Sequence, residues 1–268
     1  MRVESPIAIV SQLSTDTMRY AVLQTDLNPP AIDQLQRAFK SVPGLAASDA
    51  FILGRDAFGI LVKDVSEDQA GALQGALRSE GIETEIVDHT LLQPLPQTHF
   101  VRQMECSPER LLIFDPLGRP FALEWRHIMC IAAGAVRLID FVARKHETPP
   151  ATRPGSRVTS YAPEYETRTH EERRFHLLGE IIITGAALRY SFAADKFNFA
   201  GLGERNMENT VANFSLLVRD LIQFSPNANL NRGAQALRAN ATDVLSYPSK
   251  NAFHEEIVWM LWQMKKAA

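Results

Sequence analysis

Apolar residues in this chain come in short runs that stop at turn-forming residues, and this spacing restricts it to short strands and helices of moderate length. Tyr20-Ala21-Val22-Leu23 is followed by the breaker Asn28-Pro29-Pro30, after which Ile32, Leu35, Phe39 and Val42 recur at helical spacing until Pro43-Gly44. Phe51-Ile52-Leu53 and Phe58-Gly59-Ile60-Leu61-Val62 flank the polar turn Gly54-Arg55-Asp56, which predicts a pair of antiparallel strands. Ser66 stands three residues before Gln69, a capping box, and Ala70, Leu73, Ala76 and Leu77 form the apolar stripe behind it until Gly81. Ile82 to Asp88 reads as a further strand near a sheet edge. With 268 residues, 46% of them hydrophobic and 22% charged, the chain can fill two compact units and bury a sizeable core.

The order strand, helix, strand, strand, helix, strand over residues 18–90 resembles the ferredoxin-like βαββαβ unit. The resemblance rests on element order and brings no activity with it. One use of such a sheet is RNA binding, in which a central strand displays aromatic residues that stack on bases. The stretch Asp56 to Lys63 matches that signature only at Phe58-Gly59; its leading basic position holds Asp56, and Ile60 and Lys63 stand where aromatics belong. Phe58 therefore reads as core.

Leu91-Leu92-Gln93-Pro94-Leu95-Pro96 reads as a linker, giving a first domain over 1–98 and a second over 99–268. In the second, Arg110 to Asp115 and Pro120 to Trp125 make a hairpin about Pro116-Leu117-Gly118-Arg119, and Ile128 to Val136 supplies a third strand. Leu177 to Ile183 and Ala187 to Phe192 add two more about Gly185-Ala186, with Phe197-Asn198-Phe199 a candidate sixth. Met207, Val211, Phe214, Val218 and Leu221 then mark an amphipathic helix. Antiparallel strands closed by such a helix resemble the pleckstrin-homology-like fold over about 100–225, with Trp125-Arg126-His127-Ile128 similar to a strand end of those domains. Members that bind phosphoinositides cluster basic residues in the first turn; Arg119 alone stands here, so headgroup binding is not implied. The chain thus reads as α+β, a ferredoxin-like unit followed by a pleckstrin-homology-like sheet with C-terminal helices.

Residues 144–174 are polar, proline-containing and almost free of aliphatic side chains, which predicts a long mobile insert, either disordered or ordered on a partner. Near the C-terminus, Phe253, Ile257, Met260, Leu261 and Met264 form a wide helical stripe extended by Val258 and Trp262, with Trp259 at its edge. Core packing and a partner surface both fit this stripe, and Trp259 and Trp262 are expected to differ in burial.

The net charge of −3 provides no basic field for nucleic acid. Residues 1–98 hold seven Lys/Arg against thirteen Asp/Glu, and the remainder 21 against 18, so the acidity is concentrated in the first domain. Two cysteines, Cys106 and Cys130, are too few for a disulfide scaffold and fit a reducing cytoplasm. Ile7 to Val10 is too short for a signal-peptide core, and no apolar stretch approaches the roughly 20 residues of a membrane span.

Metal chemistry needs converging donors, yet His127 with Cys130, His170-Glu171-Glu172 and His254-Glu255-Glu256 each lack a complete set. No nucleophile elbow or Walker loop occurs, and Gly201-Leu202-Gly203 lacks the third glycine of a dinucleotide fingerprint. No catalytic, metal or cofactor residue is assigned. The sequence points to a non-enzymatic cytoplasmic interaction or regulatory protein with a protein partner and no nucleic acid. Its candidate contact residues are Arg144, Lys145, Arg153, Arg157, Trp259 and Trp262. The alternative is a small-ligand sensor or an enzyme with a site between the domains.

Overall fold

The computed structural model describes residues 18–28, 30–46, 48, 50, 51, 58–148, 164–241 and 244–267. It is mixed α+β with several sheets, and the chain divides into two compact units, Met1–Leu92 and Gln93–Ala268.

In the first unit, strand β1 (Tyr20–Gln24) lies between β2 (Ile60–Val65) and β3 (Thr84–Asp88), antiparallel to both. Helices α1 (Ile32–Lys40) and α2 (Glu67–Ser79) bury Leu35, Phe39, Leu73 and Leu77 in one cluster with Val22, Leu61 and Val62. The capping box starts α2 as its sequence dictates: Ser66 Oγ accepts from the Gln69 amide, and Gln69 Oε1 accepts from the Ser66 amide. The strand expected at Phe51-Ile52-Leu53 does not begin there. Ala50 and Phe51 are helical, and residues 52–57 lie outside those described. Alanine is the strongest helix former, and Ala50 is fully buried in the cluster.

The second unit has two sheets. One is the meander β5 (Met104–Cys106), β6 (Leu111–Phe114) and β7 (Pro120–Leu123). The other centres on β8 (Ile128–Thr148), β9 (Glu164–Ile183) and β10 (Arg189–Ala193), which are antiparallel in chain order. Short parallel additions flank it: β4 (Thr98–Phe100) on β10, and β11 (Asn229–Leu230) and β12 (Ser246–Tyr247) on β8. Phe197-Asn198-Phe199 is not a strand; it makes a single bridge from Asn198 to Gln103 between 3-10 turns.

Helix α3 (Thr210–Phe224) starts at Asn209, whose side chain accepts from the Val211 and Ala212 amides. That cap leaves Met207 outside the helix and exposed, while Phe214, Leu217, Val218 and Leu221 enter the core shared by both sheets. Each of these side chains contributes about 1.5–3 kcal/mol by leaving water. Helices α4 (Arg232–Arg238) and α5 (Lys250–Ala267) follow.

Asn231 ties α4 to the sheet. Its Oδ1 accepts from the Ala133 and Ala234 amides, and its Nδ2 donates to the Ala133 carbonyl and the Tyr247 hydroxyl. A side chain thus occupies both hydrogen-bonding groups of Ala133, as a neighbouring strand would. Gly233 permits the approach, since a Cβ there would stand 2.9 Å from the Ala133 carbonyl carbon and nearer still to its oxygen.

Of the insert expected at 144–174, the described residues, 144–148 and 164–174, are strand. β8 runs to Thr148 and β9 starts at Glu164, in continuous register; residues 149–163 lie outside those described. The physical reason is cooperative pairing. With Val136 opposite His176 inside the sheet, each further pair adds hydrogen bonds without a new closure cost, and a polar composition suits strands with both faces in water.

Candidate functional site

From Arg137 opposite Phe175 to Thr148 opposite Glu164, β8 and β9 form twelve pairs that no third strand joins among the described residues. At about 3.3 Å per residue this two-stranded ribbon is roughly 40 Å long. Directly opposed residues share a face. One face carries Arg137 with Phe175 and Ile139 with Arg173. The other carries Leu138 with Arg174 and Asp140 with Glu172.

Ile139 and Phe175 are 52% and 58% exposed, large apolar side chains displayed on the same face near the ribbon's root. The Arg137 guanidinium stands 6.0 Å from the Phe175 ring centroid, a cation–π approach that leaves this face both apolar and basic.

At the root, His176 sits between two carboxylates. Its Nε2 faces Asp140 Oδ2 at 2.8 Å and its Nδ1 faces Asp195 Oδ2 at 3.5 Å. The doubly protonated ring has a donor for each, whereas the neutral ring has one. These groups line a cavity of about 360 Å³ that also holds Leu138, Leu178 and the cations Lys196 and Lys250.

Behind the root, a buried network fixes β9, β10 and α5. Glu180, almost fully buried, takes Arg189 Nη1 at 3.2 Å and faces His254 Nε2 at 3.1 Å. Arg189 also donates to the Pro96 carbonyl and to the Thr98 hydroxyl, which anchors β4. A buried ion pair with its other groups satisfied resists disruption, because loss of one partner strands the other charge.

Of the residues singled out in the sequence, Arg144 and Lys145 lie within the ribbon, in register with Arg168 and Thr167. Arg153 and Arg157 lie outside the described residues. Trp259 and Trp262 are both half-buried on α5, and both have contacts. The root groups escaped the sequence reading, because His176 is 36 residues from Asp140 and no spacing rule connects them.

Burial pushes the Cys106 thiol up to about 12, with Asp220 adding to the effect and Arg205 opposing it. Burial likewise pushes Cys130 up, with Glu180 and Glu256 adding. Neither offers a thiolate near neutral pH. Among the described residues, no three His, Cys, Asp or Glu side chains gather as metal ligands, and no helix is long and apolar enough to cross a membrane. Comparison with models of protein families, with curated proteins and with solved structures finds no match.

Proposed function

We propose that this chain is a non-enzymatic interaction or regulatory protein of the cytoplasm that docks a protein partner on the β8–β9 ribbon. The observation that carries this reading is the ribbon face on which exposed Ile139 and Phe175 stand beside Arg137 and Arg173. Large apolar groups ringed by arginine are the composition of an interface core, and the partner they fit presents apolar side chains flanked by carboxylates.

Two fold readings support a scaffold role. The central β1 with antiparallel neighbours and two helices fits a ferredoxin-like unit, with residues 52–57, in the stretch where its second strand is expected, outside those described. The meanders β5-β6-β7 and β8-β9-β10, closed by α3, fit a pleckstrin-homology-like domain with β4, β11, β12, α4 and α5 as additions. Both cysteines are free thiols, which suits a reducing compartment. A small-ligand sensor is the second reading, favoured by the cavity beside His176.

The test is a paired affinity capture using the full chain and its Ile139→Glu/Phe175→Glu variant, with thermal melts of both. A partner retained by the first and lost by the second at equal melting temperature supports docking. Equal retention by both, or no retention by either, refutes it.

A further inference from the structure

A second cleft, of about 410 Å³, opens between the C-terminal ends of α3 and α4. Its charged lining consists of Arg219 and Arg238, with no carboxylate among the described lining residues. Arg219 is half-buried and donates its Nε to the Leu237 carbonyl at 3.1 Å, which fixes the guanidinium while leaving its terminal amino groups without a partner among the described residues. The Arg238 side chain is exposed and has no ion pair among the described residues.

Ser225 lines the same cleft and is 4% exposed; its Oγ is closed off from solvent and has no hydrogen-bond partner among the described residues. The two helix ends each bring about half a negative charge, against two full positive ones. The opposite wall is apolar, from Ile222, Pro226 and Leu230.

From this arrangement we infer that the α3–α4 cleft binds a phosphomonoester carried on a partly apolar group. Two guanidinium forks and the Gln223 amide exceed what the two oxygens of one carboxylate can accept, whereas a phosphomonoester has three terminal oxygens and a charge of about −1.5 to −2. The volume leaves room for an organic group against the apolar wall. The inference does not depend on the ribbon.

Calorimetric titration of the full chain with phenyl phosphate, inorganic phosphate and benzoate tests it, alongside Arg238→Gln and Ser225→Ala. Phenyl phosphate should bind more tightly than either other probe, and about tenfold or more weakly to Arg238→Gln. Ser225→Ala serves as the control: its Oγ is closed off from the cleft and has no partner among the described residues, so the change should leave binding unaltered. Vesicles containing phosphatidic acid separate the sources: sedimentation of the protein with them, reversed by phenyl phosphate, assigns a lipid headgroup, and no sedimentation assigns a soluble ester. Absence of phenyl phosphate binding at millimolar concentration, benzoate binding as tight, or unchanged affinity in Arg238→Gln would overturn the inference.

Discussion

Gly179→Ala is the sharpest probe of the second unit's core. Gly179 pairs with Ala133 on β8 and with Phe192 on β10, and the Phe192 ring lies across its Cα. An added Cβ would stand 2.5 and 2.6 Å from the two ring ε carbons and closer to Cζ, while ordinary contact begins near 3.4 Å. The ring must retreat by about 1 Å or more, a gap too large for a close-packed interior to absorb without rearrangement. It has nowhere easy to go, because Phe197 and Phe214 pack against it with centroids 5.4 and 5.8 Å away. Overpacking of this kind costs about 2–3 kcal/mol, and a unit of this size loses roughly 2–4 °C per kcal/mol. Trp125, Trp259 and Trp262 are the chain's three tryptophans and all belong to Gln93–Ala268, so urea unfolding followed by tryptophan fluorescence reports this unit alone. Phe192→Leu in the same molecule should restore part of the loss, because the smaller side chain vacates the space. A loss under about 0.5 kcal/mol, or no recovery in the double variant, would refute the packing argument.

Other outcomes follow from other parts of the molecule. Gly71→Ala and Gly75→Ala, on the exposed face of α2 with open space around each Cα, should stabilise the first unit by about 0.5–1 kcal/mol each, read from a circular-dichroism melt. Asn231→Ala removes four hydrogen bonds and should destabilise the second unit by about 3 kcal/mol or more in urea titration. Because burial holds the Cys106 thiol neutral up to about 12, its contribution to stability is intact below the unfolded thiol's value and should fall away as pH rises from about 9. The corresponding check is slow alkylation of folded protein at pH 8 and fast alkylation after unfolding. Hydrogen exchange over 137–148 and 164–175 should be slower than in a random coil and faster than at Ile131 and Ile181; coil-like exchange would refute the ribbon's register.

How much of this was legible depended on whether the signal was local. Ser66 and Gln69 carry their information within one turn, so the start of α2 could be read directly. Phe51-Ile52 looks like a strand by composition, yet burial of Ala50 sets the local conformation, and that is a tertiary effect. The ribbon was misread because the aliphatic content of a segment reports burial, and a strand wet on both faces has little need of it. Pairing is instead enforced from the sheet outward, starting at Val136 and His176. Neither candidate site could be read in advance. Asp140, His176 and Asp195 meet through strand register, and Arg219, Ser225 and Arg238 meet through the packing of α3 against α4.

The clasp at Ala133 implies a search signature for kindred chains. Asn231 substitutes for a strand and Gly233 lets α4 approach, so neither position tolerates replacement on its own, and the two are fixed one residue apart. Gly179 and Glu180 form a second such couple, one admitting the Phe192 ring and the other seating Arg189. Descendants of the same ancestor should keep a Gly-Glu step in β9 and an Asn-x-Gly step after β11 even when ribbon length, surface charge and the rest of the alignment have drifted beyond recognition. A motif of four letters separated by some fifty residues is invisible to whole-chain similarity, but it is a filter that structure-guided searching can apply.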